Sequence, residues 1–287
     1  MIRKKLEIRE HAAGVYHIQY FDGFLYSSSA DRFLTRWNPE LGVQDKFAIR
    51  FEQSVYRFII HSHILLAGTA SGDLHFFDLK DRKEIRHFTT HTSAVFSMEM
   101  DADRDRVYVG DADGNLSVWR WSDQKFLAEF PMECGKIRSL AVHENLLYLA
   151  GTDGYLYIID ADKLNLIDRF YAHNDGVTAI CIFNNKIYTG GKDAYIRRWD
   201  SVTFEKEIAV PAHNFAIYKL LQWNDMILSV SRDKTIKGFT PDLKPVFRLT
   251  TKEGGHTHSV NSACIINDRQ FATAGDDRRI IIWEEES

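Results

Sequence analysis

Ser29-Ala30-Asp31-Arg32-Phe33-Leu34-Thr35-Arg36-Trp37 decides the fold, because the chain repeats it. Six steps separate Asp31 from Trp37, and the same spacing returns from Asp113 to Trp119, Asp193 to Trp199 and Asp277 to Trp283. With a substituted end it returns from Asp153 to Ile159, Asp233 to Phe239 and Ser71 to Phe77. The leading positions 31, 71, 113, 153, 193, 233 and 277 lie 40, 42, 40, 40, 40 and 44 residues apart. A period in this range, built of short apolar runs, means arrayed units that cannot bury a core singly.

Repeat five shows what one unit contains. Residues 177–183, Val-Thr-Ala-Ile-Cys-Ile-Phe, alternate and are β-branched, which reads as a strand. Asn184-Asn185 makes a tight turn, since Asn tolerates positive φ and hydrogen-bonds its own backbone. Residues 186–190 form a second strand, 192–194 a second turn and 195–199 a third strand. Residues 205–210, Glu-Lys-Glu-Ile-Ala-Val, are a more polar fourth strand, as an exposed outer edge requires. Turns fall at Phe21-Asp22-Gly23, His143-Glu144-Asn145, Trp223-Asn224-Asp225 and Ile266-Asn267-Asp268. No helical period competes. The expected class is all-β, a seven-bladed β-propeller of four-stranded antiparallel blades.

The residues also resemble the WD-repeat β-propellers along the whole chain. That family carries a His before the first strand and an Asp before the third-strand Trp. Here His11, His91, His173, His213 and His256 each stand four residues before a Val or Ile, and 20, 22, 20, 20 and 21 residues before their Asp. A hydroxyl four residues before the Asp completes the family's structural tetrad. The resemblance therefore implies His11–Ser27–Asp31–Trp37, His173–Thr189–Asp193–Trp199 and His256–Thr273–Asp277–Trp283, with His213–Ser229–Asp233 lacking only the indole. In each, the carboxylate accepts from imidazole and the hydroxyl links imidazole to indole. Such a chain survives burial because every member has a partner. Repeat two has Phe51 and Ser71 in the His and Asp slots, and repeat four has Glu133 and Leu149 in the His and hydroxyl slots. Repeat three has His91 and Asp113 but Val109 for the hydroxyl. These three blades are expected to rest on apolar packing alone.

The chain ends ten residues past Asp277, leaving repeat seven without a fourth strand. Lys4-Lys5-Leu6-Glu7-Ile8-Arg9 near the start resembles the fourth strand of repeat five. Residues 3–10 are therefore expected to complete the last blade and close the fold, with residues 1–287 forming one domain and little chain left for another.

Composition narrows the function. A net charge of −4 gives no general drive toward nucleic acid or anionic membrane. No apolar run follows the basic start as a signal peptide requires, and none is long enough to span a membrane as a helix. Cys134, Cys181 and Cys264 are odd in number and unpatterned, which points to a reduced, cytoplasmic compartment.

The recurring His, Ser/Thr and Asp invite a hydrolase reading, but an activated nucleophile is not copied into every blade. Nor does His256-Thr257-His258 have Cys or carboxylate at ligand spacing, so no metal is expected there. Gly254-Gly255 precedes no helix and makes no phosphate cradle. No cofactor is expected. Asp111/Asp113 and Asp276/Asp277 sit where turns favour Asp.

What remains is surface. In WD-repeat propellers, the residues beside the first-strand Val or Ile and the residue before the Asp face the channel mouth. Here these positions hold Tyr16, Tyr56 and Phe96 over blades one to three, then Lys136, Arg138, Lys192, Tyr218 and Arg232 over blades four to six. Aromatics and Arg are over-represented at binding hot spots, and clustered exposed aromatics mark interaction surfaces. Rim packing between blades is the competing use of the aromatics. The expectation is a non-catalytic scaffold, part of a multi-protein assembly, holding a peptide or loop whose acidic segment lies over the bases. The loop 250–255, three residues longer than its counterpart before Ile217, is expected at the rim. A propeller enzyme would need carboxylates, His or metal ligands at the channel mouth, and a single-stranded nucleic-acid binder would sit poorly with the acidic balance.

Overall fold

The computed structural model describes residues 1–286, and in it each repeat becomes one four-stranded antiparallel sheet, seven in all among the described residues. Blade one is Val15–Phe21, Phe24–Ser29, Phe33–Trp37 and Gln44–Arg50. Blade two is Val55–His61, Ile64–Thr69, Leu74–Asp78 and Lys83–Phe88; blade three is Val95–Asp101, Arg106–Asp111, Asn115–Arg120 and Lys125–Pro131. Blade four is Ile137–His143, Leu146–Gly151, Tyr155–Asp160 and Leu166–Tyr171; blade five is Val177–Phe183, Lys186–Gly191, Tyr195–Asp200 and Lys206–Pro211. Blade six is Ile217–Trp223, Met226–Ser231, Ile236–Phe239 and Pro245–Leu249. Blade seven takes Val260–Asn267, Gln270–Gly275 and Ile280–Glu285 from the end of the chain and Ile2–Ile8 from its start. This is the seven-bladed β-propeller that the period predicts.

The hairpins close as their residues dictate. Asp22-Gly23 and Asn184-Asn185 hold positive φ at both central positions, the backbone that a two-residue hairpin between right-twisted strands requires. Along the outer strand Gln44–Arg50, exposed residues alternate with half-buried ones, and Leu166–Tyr171 is exposed nearly throughout. Those polar, open strands blunt the blade edges.

The chain groups into two compact units. The first holds Met1–Val55 and the chain from Cys181 onward. In it, Ile2–Ile8 pairs antiparallel with Ile280–Glu285, Leu6 opposite Ile282 and Ile8 opposite Ile280. The strand runs one residue earlier at its start and two at its end than the sequence indicates. Blade one meets blade seven through Ser262, whose Oγ lies 3.2 Å from both His17 Nδ1 and the Ile18 amide. Asn261 adds a bond from its amide to the Val15 carbonyl at 3.0 Å. Beneath these contacts Ile8, Val15, Leu25, Trp37, Ala274 and Ile282 make one buried cluster.

The second unit is Tyr56–Ile180. Here close approach between blades depends on glycine. A Cβ on Gly68 would meet Val95 Cγ1 at 2.5 Å, and one on Gly110 would meet Ile137 Cγ2 at 2.4 Å, too close for any real side chain. The second strands of blades two and three thus each leave a slot that the next blade's first apolar residue fills. Phe76, Val95, Val109 and Trp119 pack in one such core and Leu116, Ile137, Leu149 and Tyr157 in the next.

Candidate interaction site

The residue after the first-strand Val or Ile is set apart by the backbone. Val15 faces Ser29 but His17 faces Ser28, so the register shifts at Tyr16. The same slip skips Phe96, Arg138, Tyr218 and Asn261 in blades three, four, six and seven. A bulge of this kind inserts an extra residue and re-aims its side chain out of the strand alternation.

In the second unit Tyr56 meets the bulge residue Phe96, and Phe96 meets the bulge residue Arg138. The Phe96 ring lies 5.2 Å from that of Tyr56, tilted by 41°. The Arg138 guanidinium sits 4.6 Å over the Phe96 ring, and Lys136 Nζ stands 5.7 Å from the same centroid. Tyr56, Phe96 and Arg138 are half-buried and Lys136 is exposed. Two cations held near an aromatic ring gain from its quadrupole.

In the first unit, Tyr16 and Tyr218 are half-buried at their bulges, and Lys192 and Arg232 are exposed in turns. Arg232 lies 5.8 Å over the ring of Phe215, which is 56% exposed. Phe215 escapes the sequence pattern because it falls two residues before Ile217, where the other blades carry small or polar residues. The loop before Val260 forms a short helix, Thr251–Glu253, capped by Thr250 and Glu253, and it lies beside Lys4 of the N-terminal strand.

Behind these surfaces run buried hydrogen-bond chains. His11 Nδ1 lies 2.8 Å from Asp31, its Nε2 lies 2.7 Å from Ser27 Oγ, and Trp37 Nε1 donates to that hydroxyl at 2.6 Å. His256 reaches Asp277 and Thr273 at 2.9 Å each, and Trp283 donates to Thr273 at 2.9 Å. His213 reaches Asp233 at 3.0 Å and Ser229 at 2.8 Å, with Thr235 Oγ1 also donating to Asp233. In blade five Trp199 donates to Thr189 at 2.8 Å, His173 is buried, and Asp193 takes a bond from Arg197 at 2.7 Å. Burial alone raises the Asp31, Asp233 and Asp277 carboxyls. Hydrogen bonds from His11, His213 and His256, with backbone amides, outweigh it and leave all three below the usual carboxylate range. These groups fix the turn between strands two and three, and their burial makes them structural.

Family models match this pattern. One described as "WD domain, G-beta repeat" matches residues 164–200 and 244–284, and one described as "LRRK2 beta propeller" matches residues 57–137. The chain is a seven-bladed β-propeller that carries WD repeats in the matched segments. Among solved structures, the computationally designed Ika8 protein is similar over 99% of this chain and 100% of its own, with a TM-score of 0.77. At 17% identity that likeness speaks for the fold alone. No curated protein sequence matches the chain. WD-repeat propellers typically act as protein-interaction scaffolds and are generally non-catalytic.

Three blades depart from the WD-repeat pattern, and the structure corrects the expectation that apolar packing alone holds them. In blade three, His91 Nδ1 lies 2.8 Å from Asp111, not Asp113, and its Nε2 lies 2.8 Å from Ser117. Trp119 donates to Ser117 at 2.8 Å, so the tetrad is complete. Ser117 is the cross-strand partner of Val109, the residue that fills the usual hydroxyl slot. Residues directly opposite share one face of the sheet, and the hydroxyl has crossed to the neighbouring strand. Asp113 is left exposed. In blade four, the Tyr157 hydroxyl donates to Asp153, supplying the contact that His makes elsewhere. Burial, then that carboxylate, push the Tyr157 phenol up. Blade two buries Phe51 in the His slot and links Thr69, Ser71 and Asp73 by side-chain bonds.

Proposed function

We propose that this propeller is a non-catalytic scaffold in a multi-protein assembly, holding a peptide or loop of a partner through Tyr56, Phe96, Lys136 and Arg138. The carrying observation is Phe96, a bulge residue set between the Tyr56 ring and the Arg138 guanidinium. Aromatic rings lose little conformational entropy on binding, and Arg138 is oriented before the partner arrives. An acidic segment of the partner lies over Lys136 and Arg138, which stand out against a chain of net charge −4. The first unit offers the same residue types in Tyr16, Lys192, Tyr218 and Arg232.

The compartment we propose for the scaffold is the cytoplasm, since thiols stay reduced there. Cys134, Cys181 and Cys264 are free, and burial pushes each up to about 12.

Affinity purification from cells with mass spectrometry tests this reading. A Tyr56→Ala/Phe96→Ala/Arg138→Glu variant that keeps the wild-type circular dichroism spectrum is expected to lose a shared set of partners. A separate Tyr16→Ala/Arg232→Glu variant reports on the first unit. An unchanged partner set in the first variant overturns the assignment of the binding residues.

A further inference from the structure

Among the described residues, blade two carries a cluster that no other repeat has. Asp73 ends the turn before the third strand, His75 lies on that strand, and His87 lies directly opposite His75 on the outer strand. One ligand atom from each falls within 4.8 Å of the other two. The geometry points to a site for a divalent transition-metal ion, Zn²⁺ by its ligand set, held by Asp73, His75 and His87.

Four features support this. Two imidazoles and one carboxylate are donors for Zn²⁺ and its neighbours in the first transition row, and are the wrong set for Ca²⁺ or Mg²⁺. His87 Nε2 already stands 3.4 Å from Asp73 Oδ1. Metal–ligand bonds of about 2.0–2.2 Å in a tetrahedron put neighbouring ligand atoms roughly 3.3 Å apart. Ser71 donates to the other Asp73 oxygen and holds the carboxylate in place. Glu84 lies 2.7 Å from His75 Nδ1, and a proton there leaves the ring's lone pair on Nε2. A carboxylate behind a ligating imidazole is the arrangement that orients such rings and raises their basicity.

One movement is required. The two rings are stacked, with centroids 4.3 Å apart and planes 8° from parallel, and parallel imidazoles do not converge their lone pairs on one point. His87, with its side chain 47% exposed on an outer strand, swings out of the stack to bind. Three protein ligands leave at least one coordination position for water or for a group on a partner.

The test uses the full chain with any purification tag removed, titrated with Zn²⁺ by calorimetry and with Co²⁺ by visible absorption. One ion per chain is expected. Asp73→Asn and His87→Gln are each expected to weaken binding at least about tenfold, and Glu84→Gln, which positions His75, by about 10–100-fold. Histidine ring signals in the NMR spectrum provide a second measure, since those of His75 and His87 shift together as the stack opens. Absence of saturable binding, binding that His87→Gln leaves unchanged, or an ion that leaves both ring signals unmoved each overturns the site.

Discussion

Both nitrogens of His91 are occupied, by Asp111 and by Ser117, and neither the His91 nor the Asp111 side chain is exposed at all. Removing one member strands its partners without water. Ser117→Ala leaves both His91 Nε2 and Trp119 Nε1 without their hydroxyl and is expected to cost about 1–3 kcal/mol. Asp113→Ala, at an exposed position, is expected to stay within about 0.5 kcal/mol. Urea denaturation of the two variants checks the contrast, and equal losses would show that the wrong carboxylate has been assigned. The buried imidazole of blade six gives a pH dependence. Burial, its largest influence, lowers the His213 pKa from the ordinary 6.5, and the hydrogen bond with Asp233 only partly opposes it. A depressed imidazole takes up its proton more readily in the unfolded chain, so stability falls as the pH drops below about 6.5. Asp233, held below its ordinary 3.8, contributes stability above that value and loses it as the pH falls further. Melting temperature measured against pH is therefore expected to decline in two steps on the acid side. A His213→Gln variant is expected to lack the first.

At the scale of elements, the strand Ile2–Ile8 covers the backbone of Ile280–Glu285 and buries Ile8 against blade one. Deleting residues 2–8 exposes an apolar edge strand, the template for pairing with another chain. The truncated protein is expected to melt at lower temperature and to aggregate, as light scattering during a thermal ramp reports. Glycine slots between blades are a second device of this scale. Gly110→Val would drive side-chain atoms into Ile137 and Ser97 Oγ, and overpacking of this kind costs about 1–3 kcal/mol. Chemical denaturation measures it, and a neutral outcome would mean that the two blades move apart without penalty.

Across the whole molecule the blades are not equally provided. Blades one, three, six and seven have an imidazole joined to both a carboxylate and a hydroxyl, blade four a phenol–carboxylate contact, and blade two no imidazole in that place. Hydrogen exchange is expected to release the second- and third-strand amides of blade two first; finding them the best protected would remove the stabilising role given to these chains. How much of this was legible follows from range. The repeat length, the strands, the turns and the origin of the last blade's outer strand were readable, because alternation, turn chemistry and period are local properties of the chain. Tyr16, Phe96, Arg138 and Tyr218 stood out by position, but the bulge that re-aims them is a property of pairing between two strands. The exchange of Asp113 for Asp111 and of Val109 for Ser117 was hidden for the same reason. A pattern read along one strand cannot register a hydroxyl that arrives from the strand opposite. The meeting of Asp73, His75 and His87 likewise depends on which residue of the outer strand faces His75. A sevenfold array of four-stranded sheets is written into the chain, since each repeat states its own strands and turns. Which side chains share a face and touch depends on folding, because register and close packing join segments far apart in the chain.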